Sequence, residues 1–160
     1  MRAVDVLREA GGCAGGRAVY RAADAALVAR HPLRSHRRLR PSTVARLQPL
    51  SPEVDLRTVT FVTDASLPAN WFRSRTLAMT FGARVWFKWS SVRVEETDDG
   101  LRLLMHELVH VAQFRRLGDS KRAFACAYGR GFLSTLSYAA NPLEAEAFRF
   151  VRTHPLPPRA

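Results

Sequence analysis

The sequence predicts an α+β fold, and three stretches carry that expectation. Residues 54–62 (VDLRTVTFV) are rich in β-branched side chains, with Leu56, Thr58, Thr60 and Val62 alternating against Arg57, Val59 and Phe61, the period of a strand. Residues 76–80 and 84–89 flank Gly82 and read as two strands joined by a turn, or as one bent strand. From residue 98 the pattern becomes helical, first over 98–117 and then over 119–137 and 141–152.

Taken in order, residues 1–30 hold two short helical patterns that Gly11, Gly12, Gly15 and Gly16 separate, the second running over 17–29. Pro32 stops it. Residues 30–40 (RHPLRSHRRLR) carry five arginines and no acid, and with no aromatic interleaved for base stacking they read as a solvated basic linker. His31 and His36 flank a proline and make a poor ligand pair. Pro41, Pro49 and Pro52 mark a loop-rich passage before the first strand, and Asp64, Pro68 and Asn70 end that strand. Trp86, Phe87 and Trp89 supply much of the aromatic area and suit sheet packing. The helix over 98–117 has acidic residues at its start, Arg115 and Arg116 in its last turn and Gly118 just beyond, all in their favoured places. Asn141 and Pro142 open the last helix, and the prolines at 155, 157 and 158 close it.

At 160 residues the chain has room for one core domain with an appendage, which we divide as an N-terminal helical and basic extension (1–50) and a main domain (51–160). No apolar run approaches the roughly 20 residues that span a bilayer, and Asp5, Arg8 and Glu9 interrupt the N-terminus, so neither a membrane span nor a cleaved signal peptide is expected. A cytoplasmic protein, or one exported by a dedicated secretion machinery, fits these features. Cys13 and Cys126 are too few for a disulfide framework and belong to no CxxC pair, so two plain thiols are expected. The net charge of +11 invites a nucleic-acid partner. Only two of the 25 basic residues, Lys88 and Lys121, are lysines; the arginine excess could reflect base composition, although its planar fork also binds phosphate well.

The most informative stretch is 103–114, LLMHELVHVAQF. On a helix His106 and His110, four residues apart, project from one face and can reach one metal ion. Glu107 beside them suits a general base that takes a proton from water activated at a zinc ion and passes it to a leaving amine, the chemistry of peptide hydrolysis. A catalytic zinc needs a third protein ligand. Gln113 and Arg116 stand where one common class has glycine and a third histidine, so a glutamate on a later helix is the remaining common solution. Glu144 and Glu146 are both available, and at about 200° apart on a helix only one can face the metal.

The chain resembles the HExxH metallopeptidases whose third ligand is glutamate, in which a motif NxxExxA follows downstream; Asn141, Glu144 and Ala147 match it. It is most similar to the bacterial peptidase domain associated with contractile injection systems, through DLRTVTFVTDA at 55–65, MTFGARVWF at 79–87, LLMHELVHVAQ at 103–113 and the segment 141–147. Phe61, Thr63 and Phe148 depart from its pattern, and residues 1–50 lie outside it. The resemblance implies a zincin-like α+β domain, with a small twisted sheet on the HExxH helix, Zn2+ held by His106, His110 and Glu144, and Glu107 as base. A peptide or protein substrate would add its backbone to the sheet edge. Tyr138, six residues before Glu144, is a candidate donor to the oxyanion. Two alternatives stand beside this reading: a non-catalytic zinc-stabilised interaction module of a secretion system, and a nucleic-acid binder using the arginine-rich segment.

Overall fold

A computed structural model describes residues 3–31, 36–65, 77–88 and 93–158, with backbone only over 3–9. The fold is α+β: five α-helices and a four-stranded mixed sheet among the described residues. Helix α1 is Ala3–Arg30, strand β1 Arg37–Arg38, helix α2 Pro41–Leu47, strand β2 Thr60–Val62, strand β3 Ala78–Phe81, strand β4 Arg84–Phe87, helix α3 Asp98–Arg116, helix α4 Lys121–Thr135 and helix α5 Pro142–Thr153. The sheet order is β1-β2-β4-β3, with β2 and β4 parallel and the other two pairs antiparallel.

Alternation along β4 explains why it is apolar throughout. Val85 and Phe87 join a core with Leu104, Met105, Leu108 and Val111 of α3, while Trp86 turns to a second core with Tyr20, Ala23 and Leu27 of α1 and Phe124 of α4. Helices therefore cover both faces of the sheet. Gly82, at φ +67°, makes the β3–β4 turn that its place between two apolar runs predicts.

Several local expectations change. The strand expected over 54–62 is shorter: Asp55 caps a single 3-10 turn over Leu56–Thr58 by accepting from the Arg57 amide, and the extended backbone begins at Thr60. The loop-rich passage contains α2, because Pro41 sits in the first turn, where its missing N–H costs nothing. The basic linker is partly structured: Arg37 and Arg38 pair with Phe61 and Thr60, Arg37 lies over the Phe61 ring, and Arg40 binds Glu95 and Glu96. Residues 32–35, Pro68, Asn70, Thr76 and Trp89 lie outside the described residues.

The largest change is at the N-terminus, where the glycines do not interrupt a helix. Helix α1 runs unbroken for 28 residues, and Gly12 and Gly16 let it approach α4 backbone to backbone. A Cβ on Gly16 would lie 2.2 Å from the Ala125 carbonyl oxygen, and one on Gly129 would lie 2.1 Å from that of Gly12. The glycines thus trade helix propensity for close packing. The same approach brings Cys13 and Cys126 together, with Cα atoms 3.9 Å apart, in a disulfide rather than as the two thiols expected. Asp24 adds a polar tie, accepting from Arg84 of β4 at 3.0 Å and from Lys121 of α4.

Candidate metal centre

Helix α3 forms where its boundary signals put it. Thr97 is the N-cap, its hydroxyl accepting from the Gly100 amide, Asp98 and Asp99 occupy the first turn and Arg115 and Arg116 the last. Thirteen of its 19 residues are buried, including His106, Glu107, His110 and Gln113. Polar groups so placed must find partners, and each does.

Asn141 caps α5 by accepting from the Leu143 amide, and its side-chain amide donates to the Tyr128 carbonyl at 3.1 Å, fixing α5 against α4. This needs the bare backbone of Gly131, where a Cβ would sit 2.5 Å from the Asn141 Oδ1. Glu144 stands at the third position of α5, where a glutamate suits reaching back to the helix start. It points instead at α3: its Oε2 lies 3.1 Å from His106 Nε2 and 3.4 Å from His110 Nε2. Donor atoms of His106, His110 and Glu144 all lie within 4.8 Å of one another, and all three residues are buried. Glu146 faces elsewhere, accepting from Arg116 and, at 3.0 Å, from Gln113. Between the two glutamates that the sequence offers, packing brings Glu144 to the histidines.

Two imidazoles and a carboxylate converging on one point fit a divalent transition metal, zinc among them. Without a metal the same atoms share protons. Burial works against a charged His110, but the hydrogen bond to Glu144 and the charges of Glu107 and Glu144 outweigh it and raise its pKa to about 9. Burial likewise works against an ionised Glu144, yet its bonds with His106 and His110, the charge of His110 and the Tyr128 hydroxyl hold it far below the usual carboxylate range. A cation bound at this point would take the place of that proton.

Three further residues complete the surroundings, and sequence reasoning assigned none of them a role at the site. Gln113 Oε1 lies 2.8 Å from His110 Nδ1, and the Gln113 amide donates to the Leu143 carbonyl and to Glu146, which fixes its orientation. An oxygen facing Nδ1 puts the neutral ring's proton there and leaves the Nε2 lone pair toward Glu144 and the centre. Tyr128 donates to Glu144 Oε1 at 2.7 Å, leaving Oε2 to the histidines. Thr80 on edge strand β3 donates to Glu107 Oε2 at 2.6 Å. A signal existed for Gln113, three residues after His110 on the same helix. Tyr128 and Thr80 carry none, since they reach their partners across the fold.

Tyr138 lies close enough to feel this centre: burial, and then the charge of Glu144, raise its pKa and keep the phenol protonated. It is 44 % exposed, and its ring packs edge-on against Phe148, which lies 4.7 Å from the His106 ring. Among the described residues no helix is long and apolar enough to cross a membrane.

No curated protein and no solved structure matches the chain. One family model does, that of the eCIS core domain, over residues 38–118. The match begins at the end of β1, takes in α2, β2, β3, β4 and α3 with His106, Glu107 and His110, and ends before Tyr128 and Glu144. Covering just over half of the sequence, it shows that the chain belongs to the eCIS core domain family, which ties it to the proteins of extracellular contractile injection systems.

Proposed function

We propose that the chain is a zinc-dependent peptidase of the zincin type, exported by or carried on such an injection system. The observation that carries the reading is the joint placement of His106, His110 and Glu144 around one point, with the buried Glu107 on the same helix and held by Thr80. When bound there, zinc supplies Lewis acidity that acidifies water and polarises a carbonyl. His106, His110 and Glu144 would hold the metal, Gln113 fixes the His110 ring, and Tyr128 orients the Glu144 carboxylate. Glu107 receives the proton of the attacking water and returns it to the leaving amine. Thr80 occupies one oxygen of Glu107 and so leaves the other for that proton. A peptide would lie along β3, the edge strand next to α3, adding its backbone to the sheet. Tyr138 would donate to the oxyanion, a role for which a phenol held protonated is suited.

Elemental mass spectrometry and cleavage of a quenched-fluorescent peptide pool test this together. About one zinc per chain is expected, lost in Glu144→Ala. Glu107→Gln should keep the metal while turnover falls by about 10²-fold or more. A zinc-loaded chain that cleaves no peptide would favour the non-catalytic alternative, a metal-stabilised component of the injection system, which the family also accommodates.

A further inference from the structure

Six large hydrophobic side chains are exposed among the described residues, and four of them, Phe132, Leu136, Tyr138 and Phe148, fall within residues 132–148. None of the four belongs to either apolar core. Leu136, 74 % exposed, also holds a left-handed backbone at φ 51°, a conformation that a leucine adopts only at a cost in strain. Exposed apolar surface and local strain, concentrated where α4 leads into α5, point to use rather than to stability.

Phe148 links this surface to the metal centre. It lies four residues beyond Glu144, hence on the same face of α5. Its neighbours Ala147, Phe150 and Val151 are packed inward, whereas Phe148 remains 44 % exposed. Its ring contacts are His106, at 4.7 Å between centroids, and Tyr138, at 6.2 Å. The ring thus has one side on a candidate metal ligand and a large part of its surface open.

We propose that Phe148, with Tyr138 beside it, forms the subsite that receives a large apolar or aromatic side chain of the peptide next to the cleaved bond. This rests on the peptidase reading above and adds to it a substrate class. A benzyl or isobutyl side chain arriving with its carbonyl at the centre would cover the open part of the Phe148 ring, gaining both burial and ring contact. A methyl side chain would leave that ring in water. The preference is set by Phe148 and is independent of the proton transfer at Glu107.

The test uses the zinc-loaded full chain and three peptide hydroxamates that differ only in the side chain next to the hydroxamate, benzyl, isobutyl or methyl, with affinities measured by calorimetry. The benzyl and isobutyl compounds should bind ~10-fold or more tightly than the methyl one. In Phe148→Ala, with zinc content unchanged, the three should come within about 3-fold of one another, and Phe148→Leu should restore much of the preference. Equal affinities in the unmodified chain, or a preference that survives in Phe148→Ala, would overturn the subsite while leaving the peptidase reading standing. Zinc-loaded protein that binds none of the three and cleaves no peptide would remove both.

Discussion

A single side chain at this centre acts through its neighbours. Gln113 touches none of the atoms that would react, yet it joins His110 to the backbone and side chain of α5. Its amide must present oxygen to Nδ1, because the nitrogen is already committed to Leu143 and Glu146. Replacing it frees the His110 ring to turn and to change tautomer. Gln113→Ala should therefore weaken zinc binding by ~10–100-fold, the usual effect of removing a partner of a metal-ligating histidine. Competition with a chromophoric chelator measures this, and unchanged affinity would leave Gln113 with a packing role alone. Glu144 shows the same dependence from the other side: its place in α5 suits a capping role, and Tyr128 together with the two histidines turns it to the centre.

Among the elements, α1 and α4 form the closest pairing. Glycine in a helix normally costs stability, and here the cost depends on which way each glycine faces. Gly15 has open space around its missing Cβ, whereas at Gly16 a Cβ would strike the Ala125 carbonyl. Gly15→Ala should accordingly stabilise the protein by about 0.5–1 kcal/mol. Gly16→Val should destabilise it by about 2–3 kcal/mol, since neither backbone can move away cheaply. Urea titrations of the two variants separate these outcomes. The disulfide at the same contact closes a loop of 113 residues, so reduction, or Cys13→Ser, should lower stability by roughly 3–5 kcal/mol. Mass mapping of peptides from unreduced protein should find Cys13 linked to Cys126. Because α4 carries both Cys126 and Tyr128, a loosened α1 should also weaken the hold on Glu144.

At the scale of the whole molecule, stability should respond to acid through His36. Its ring packs edge-on against the buried Trp86, 4.8 Å away, and burial first, then the nearby charge of Arg84, lower its pKa below the usual value. The unfolded chain therefore binds that proton more readily than the folded one. Stability is fully present above about pH 6.5 and is lost as pH falls through the lowered value. Comparing urea midpoints across that window for the native chain and His36→Gln should show a smaller acid-side loss in the variant.

What the sequence could determine was what repeats locally: the helical period of α3 with its caps, the β3–β4 turn at Gly82, and His106, Glu107 and His110 at helical spacing on one element. These depend on neighbours within one turn of helix or one hairpin, so the chain states them directly. The continuous α1, the disulfide, the choice of Glu144 over Glu146 and the partners Thr80, Gln113 and Tyr128 were decided only in the tertiary structure. Each requires two elements distant in sequence to meet. Glycines that look like helix breakers in isolation become contact points once a second helix lies against them, and a glutamate suited to capping reaches His106 and His110 once α5 is locked onto α4 by Asn141 and Gly131. Local free energies of a fraction of a kcal/mol per residue are outweighed there by close packing and by the need to satisfy buried polar groups.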